Sequence, residues 1–325
     1  MRKRRLIRAR LKGRSLKPVQ NRTKSLTPRS LLLFATLRNE RQRLPYFLKY
    51  YRDLGIEQFL FVDNGSDDGS REYLAAQPDV SLWSTKASYK DARFGIDWIN
   101  GLLRKYAHGR WALVVDVDEF FLYPFCDTRP LRALTDWLDD AGLRSFGTLI
   151  LDMYPRGPVC EQPCIEGQNP FEIANWFDSA NYSITRNGQY RNLWIQGGPR
   201  ARAFFDQTPK AGPALNKVPL VKWDRGYTYV SSTHMLLPRG LNLTYDTLGG
   251  EKASGCLLHA KFLSTLADKA AEELDRGQHY AGGREYQAYA EGIEDRTDLW
   301  NKWSERFINW RQLEIMGLMS KGNWA

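Results

Sequence analysis

Residues 111–121 read Trp-Ala-Leu-Val-Val-Asp-Val-Asp-Glu-Phe-Phe: an apolar run drives straight into three carboxylates, Asp116, Asp118 and Glu119, and turns apolar again. Leu113, Val114 and Val115 have no polar partner face, the pattern of a strand covered on both sides. Acidic side chains are rarely buried alone, so the end of this strand needs a cation or a shell of hydrogen bonds. An Asp-x-Asp at the carboxyl end of a strand offers two hard oxygen ligands. That donor set suits Mg²⁺ or Mn²⁺ keeping open positions for a substrate diphosphate, and ligands of open α/β sheets gather at such strand ends. Alone, the pattern is also a common surface pair; the apolar run before it gives it weight.

The flanking sequence places that strand in a sheet. Residues 31–36 predict a first buried strand, followed by Arg38-Asn39-Glu40. Leu44, Phe47, Leu48, Tyr51 and Leu54 recur at helical spacing, and Gly55 is placed to stop the helix. A second strand is expected over 59–62, then a loop of turn formers from Asp63 to Ser70, a helix over 71–76 and a strand over 80–83. Phe94, Trp98, Leu102 and Tyr106 mark one more helix before Trp111. Four strand–helix alternations with short connections predict an α/β fold with a mostly parallel sheet flanked by helices. Beyond Tyr123 the pattern loosens. A helix is expected over 131–138 and a strand over 148–152, while 154–212, with Trp176, Phe177, Tyr182, Tyr190 and Trp194, reads as long loops mixed with strands. The last fifth looks helical, with Leu266, Ala270 and Leu274 in one stretch and Trp300, Trp303, Phe307 and Trp310 in another.

The net charge of +10 is unevenly spread: residues 1–29 hold twelve Lys or Arg and no acid, which leaves 35 basic against 37 acidic residues, or −2, for the rest. The expectation is a disordered basic tail over 1–29. Its Leu6, Ile7, Leu11 and Leu16 suit peripheral contact with an anionic membrane, and nucleic acid is not the expected partner. No apolar run is long enough to span a bilayer and no secretory signal is evident, so the expected location is cytoplasmic, at most peripheral at the inner face of the cell membrane. Four cysteines do not make a disulfide scaffold. Cys160-x-x-x-Cys164 lacks a second pair for zinc, and a bridge between the two is the alternative.

Three ordered motifs, Arg38-Asn39-Glu40, the loop Asp63-Asn64-Gly65-Ser66-Asp67-Asp68-Gly69-Ser70 and Asp116-Val117-Asp118-Glu119, resemble glycosyltransferase family 2 with a GT-A fold, in its bacterial branch with an Asp-x-Asp-Glu-Phe signature. Asn216 to Trp223, Ser231-Ser232-Thr233-His234 and Leu257 to Phe262 look like the same branch, so the similarity covers roughly residues 30–290. The resemblance implies a GT-A domain over 30–265, with a nucleotide-binding half at 30–125 and an acceptor half at 126–265, then a helical extension over 266–325. It implies a metal-dependent, inverting transfer of sugar from a nucleoside diphosphate donor, a UDP-sugar, to a hydroxyl of a glycan or lipid-linked acceptor. Asn39, Glu40, Asp63 and Asn64 would hold base and ribose, and Arg93 a phosphate. Asp116 and Asp118 would carry Mn²⁺ or Mg²⁺, with His259 completing the shell and His234 its rival. Asp152 and Glu251 lead as the catalytic base, Glu119 being structural.

Two other classes compete. A sugar-1-phosphate nucleotidyltransferase should carry a glycine-rich phosphate loop after the first strand, and Thr36-Leu37-Arg38-Asn39-Glu40 has no glycine. An inactive nucleotide-sugar-binding or membrane-recruited protein would have no need of intact carboxylates. Calcium at the Asp63 loop fails on register, since Ala75 stands where the closing Glu belongs.

Overall fold

The structure is a computed structural model that describes residues 1–161, 163–245, 252–266, 269, 272 and 297–324. The strands are β1 (Lys17–Gln20), β2 (Leu32–Leu37), β3 (Gln58–Asp63), β4 (Val80–Ser84), β5 (Trp111–Val114), β6 (Glu119–Leu122), β7 (Ser145–Asp152), β8 (Trp176–Asp178), β9 (Tyr182–Asn187), β10 (Asn192–Gly197), β11 (Asn216–Lys222), β12 (Thr228–Ser231), β13 (Met235–Leu237), β14 (Gly255–His259) and β15 (Ser304–Arg306). The α-helices are α1 (Arg2–Lys12), α2 (Leu44–Leu54), α3 (Ser70–Ala76), α4 (Ile96–Tyr106), α5 (Leu131–Asp140), α6 (Gly198–Phe204) and α7 (Trp310–Ile315).

Among the described residues, nine strands form one sheet in the order β1-β4-β3-β2-β5-β11-β7-β14-β6. The block β4-β3-β2-β5 is parallel; β11 runs against β5 and β7, β14 is parallel to β7, and β1 and β6 are antiparallel edges. Six of the nine strands therefore point the same way, the mostly parallel α/β sheet that the alternation predicts.

Both faces of the parallel block are covered, which explains runs with no polar side. Leu33, Ala35, Leu37, Phe59 and Phe61 face a core with Phe47, Leu48 and Tyr51 of α2 and Leu134 of α5. The alternate residues Leu32, Phe34, Leu60 and Val62 face Trp98, Leu102 and Leu103 of α4 and Trp223. Gly55 ends α2 in the left-handed region, at φ 99°, as its position requires.

Two expectations fail. Residues 1–29 are not a disordered arm: α1 packs along α4, β1 adds an antiparallel edge to β4, and Arg22 donates to the Val80 carbonyl. Gly101 lets the α1 backbone close in, since a Cβ there would lie 3.3 Å from the Ala9 carbonyl oxygen. Arg8 meanwhile sets its Nε 2.8 Å from the buried Asp97 carboxylate. Nor is 297–324 helical throughout. Asn301 and Ser304 close a turn, β15 pairs with β8, and only α7 is helical there, capped by Asn309. Ala270 and Leu274 lie outside the described residues.

Close strand packing depends on Gly255. A Cβ at this position would stand 2.3 Å from the Leu122 carbonyl oxygen of β6 and 3.0 Å from the Phe146 ring. A backbone carbonyl cannot step aside, so Gly255→Ala should cost about 1–3 kcal/mol through overpacking. A urea titration checks this: the midpoint should fall with an unchanged slope, whereas Gly13→Ala, whose Cβ meets nothing within 4 Å, should leave it in place.

Candidate functional site

The run 111–121 is not one strand. β5 stops at Val114, and residues 115–118 cross over the sheet before β6 begins at its far edge. The crossing passes the amino end of β11 and the carboxyl ends of β7 and β14, so Asp116 meets Lys217 and Asp118 meets His259. Ligands are expected at this end of such a sheet, and a cleft opens there, with walls that include Glu40, Arg43, Asp116, Asp118, Lys217, Ser232, His234, His259, Lys261 and Lys269.

The floor of the cleft is a chain of alternating charge. Register sets Glu119, His259 and Asp152 side by side on β6, β14 and β7. His259 Nε2 lies 3.2 Å from Asp118 Oδ2, and its Nδ1 lies 2.6 Å from Asp152 Oδ1. Asp152 Oδ2 accepts from Arg200 Nε at 2.7 Å. Burial pulls the His259 pKa down, but Asp118 and Asp152 together hold it above the ordinary value. Burial likewise pushes Asp118 up, and His259, with Arg43 and Lys261 beyond it, outweighs this and holds the carboxyl below the usual range. In Asp152 the same burial is outweighed by Arg200 and His259.

Lys217 is the second organiser. Its buried ammonium donates to Asp116 Oδ2 at 2.9 Å and to Glu119 Oε1, and Glu119 Oε2 accepts from the Asp116 backbone N–H at 3.1 Å. Burial works against the charge of Lys217, yet Asp116 and Glu119 keep its pKa above the ordinary lysine value. Glu119 is thus held between Lys217 and the Asp116 backbone. Asp116, 57% exposed, keeps most of its side chain in the cleft, while Asp118 is 20% exposed.

Among the described residues no cluster of three or more His, Cys, Asp or Glu is arranged to hold a metal. Asp116, turned to Lys217, is not brought to one point with Asp118 and His259. The pair itself fits a divalent cation: its oxygen and nitrogen are close enough to share one ion, and the carboxylate behind the imidazole is the usual support for a ligating histidine. Two protein donors suffice for Mg²⁺ or Mn²⁺ that takes its other ligands from phosphate and water.

The remaining predicted residues separate. Asp63 is fully buried and its carboxylate accepts from the Gly65 and Ser66 backbone N–H groups, a turn role, while Asn64 donates to the Thr85 and Ala87 carbonyls beside the cleft. Asn39, at φ 52°, accepts from the Asp67 N–H and donates to Glu272, and Glu40 pairs with Arg43 and Lys269. Arg93 is corrected: its guanidinium is spent on Asp97 and on the Val230 carbonyl, and it does not line the cleft. Asp152 is corrected as a base, because both oxygens are engaged and it lies behind His259. Glu251 lies outside the described residues. Cys164 carries a free thiol, and the Cys160 side chain lies outside what is described.

Sequence reasoning gave Lys217, Arg43, Arg200, Lys261 and Lys269 no role. A lysine amid the apolar residues of β11 was the available signal for Lys217; the others meet the site only through the fold. His234 lines the cleft, with Nδ1 2.6 Å from the Asn216 carbonyl oxygen. A carbonyl can only accept, so Nδ1 carries the proton and the neutral ring's lone pair is on Nε2. Burial, aided by Lys217, pushes its pKa down to about 4.

No family model matches the sequence, and no curated protein does. Among solved structures the chain is similar to 4-diphosphocytidyl-2C-methyl-D-erythritol synthase, at 14% identity and a TM-score of 0.28 over 61% of this chain and 76% of that one. It is also similar to apo UDP-glucose pyrophosphorylase, at 9% identity and a TM-score of 0.26 over 61% and 93%. Both likenesses are distant, and the chemistry of the cleft rests on its own residues.

Removing the buried ammonium should strand two carboxylates: Lys217→Met is expected to cost about 3–5 kcal/mol in a denaturant titration. His234 makes a separate pH prediction. Its folded pKa is below the unfolded value, so its contribution is complete above about pH 6.5 and is lost as pH falls through about 4. His234→Asn should flatten the fall in stability across that window, read as melting temperature against pH; an unchanged slope would show that the ring titrates normally.

Proposed function

We propose that this chain is a nucleotide-sugar-using transferase, and specifically a metal-dependent, inverting glycosyltransferase that moves a sugar from a nucleoside diphosphate donor, UDP-sugar by resemblance, to a hydroxyl of a glycan or lipid-linked acceptor. The observation that carries this reading is the Asp118–His259 pair, braced by Asp152 and Arg200, on the floor of a cleft rich in cations.

In this reading Asp118 and His259 hold Mn²⁺ or Mg²⁺, which when bound neutralises charge on the departing diphosphate. Lys217, Lys261 and Arg43 line the same cleft and add positive field to it. Asn39, Glu40 and Asn64 stand at the ends of β2 and β3, where a base and ribose would lie. The acceptor oxygen forms its bond to the anomeric carbon as the bond from that carbon to the diphosphate oxygen breaks, and the electron pair leaves with the diphosphate. The acceptor proton needs a base in the cleft. We assign that role to His234, which lines the cleft with its proton on Nδ1 and its lone pair on Nε2.

The second reading is sugar-1-phosphate nucleotidyl transfer, which would use the same kind of sheet and an acidic site at its strand ends. The products separate the two. Incubation with Mn²⁺ and UDP-, GDP- and dTDP-sugars should release nucleoside diphosphate from one donor, and Asp118→Ala should lower that rate by about a hundredfold or more. Pyrophosphate release from a nucleoside triphosphate and a sugar 1-phosphate, sensitive to the same substitution, would replace this reading with the second. Metal-dependent turnover of neither kind would leave a binding protein.

A further inference from the structure

Helix α1 buries one side and displays the other. Arg5, Ala9 and Lys12 lie on the side turned to the body: Ala9 is buried against Gly101, and Arg5 donates to the Val230 carbonyl at 2.9 Å. Arg8 fixes the flank to Asp97. At 3.6 residues per turn, Lys3, Arg4, Ile7, Arg10 and Leu11 fall together on the opposite third of the helix. All five are exposed, Ile7 at 60% and Leu11 at 53%. Two adjacent aliphatic side chains in water, with cations on either side and no acid in residues 1–29, are not explained by the packing of the fold.

We propose that this face of α1 is a docking surface for an anionic lipid bilayer, with Ile7 and Leu11 entering the headgroup boundary and Lys3, Arg4 and Arg10 meeting lipid phosphates. Charge complementarity selects the occupant: the rest of the chain is at −2, so attraction to a negative surface is concentrated on this segment and orients the molecule. The aliphatic pair favours a bilayer over a purely phosphate-bearing polymer, because a helix in the interface plane gains from apolar area as well as charge. The anchoring of α1 gives the contact a fixed geometry that a disordered arm would lack. Arg5 holds Val230, and Ser232 and His234, a few residues on, line the cleft. The docked face is thereby tied to one wall of the cleft, an arrangement suited to a substrate that resides in the membrane. The binding itself does not depend on the activity proposed above.

Sedimentation of the full chain with vesicles of phosphatidylglycerol and phosphatidylcholine in equal parts, against phosphatidylcholine alone, tests this. The protein should pellet with the anionic vesicles only and be released by salt. Ile7→Ser with Leu11→Ser, and separately Lys3→Ser with Arg4→Ser and Arg10→Ser, should each weaken binding roughly tenfold. All five side chains point outward, so circular dichroism should match wild type. Failure of the wild-type protein to pellet with anionic vesicles overturns the proposal, as does pelleting of both variants to the same extent as wild type. If the aliphatic variant binds vesicles as wild type does while a duplex oligonucleotide competes, the face is a general polyanion site and the bilayer assignment falls.

Discussion

The alternating charges of Asp118, His259, Asp152 and Arg200 are what allow an acid-rich segment to lie across the end of a buried sheet. Any one of these groups buried alone would be too costly to keep ionised. Along the row each has a spatial neighbour of opposite sign, and the row runs from the interior to the cleft. Remove His259 and two carboxylates face each other without a cation; remove Arg200 and the negative charge of Asp152 is only half matched. Lys217 does the same for Asp116 and Glu119. The two systems together fix both ends of the crossing between β5 and β6.

The sheet order makes this possible. β5 and β6 are separated by four residues in sequence but by three strands in space, and those strands deliver Lys217, Asp152 and His259 to the crossing. Gly255 contributes at the other end of β14, where the missing Cβ lets the strand lie close to β6 and hold the His259 register against Glu119. Packing at one end of that strand therefore sets the geometry of chemistry at the other.

Much of the N-terminal half was legible because its signals are local. β2, α2, β3, α3, β4 and α4 fall where apolar period, loop composition and Gly55 put them, since each is decided within a dozen residues. The failures are long-range. α1 looked like a solvated arm by composition, yet its anchors are Asp97, Gly101 and Val230, far along the chain. Arg93 looked like a phosphate ligand because it leads into Phe94-Gly95 in a stretch with few acids, yet Asp97, four residues on, takes its guanidinium. The aromatic C-terminal stretch has helical spacing, but Trp300 packs against Trp176 and β15 is drawn into pairing with β8. In the site, the acidic residues were visible as a motif, while the cations that neutralise them are scattered from Arg43 to Lys269 and converge only in three dimensions.

That division explains why the two aspartates of the motif are not equivalent. Asp118 is mostly enclosed and directed at His259, so its position is determined by the protein before any ligand arrives. Asp116 is mostly exposed and tethered through one oxygen to Lys217, leaving the other toward the cleft. A buried partner with a fixed direction is suited to hold an ion in place; an exposed one on a single tether is suited to meet what arrives with it. Sequence spacing alone treats the pair as symmetric. The asymmetry comes from the crossing, which brings one aspartate over the carboxyl end of β14 and the other over the amino end of β11.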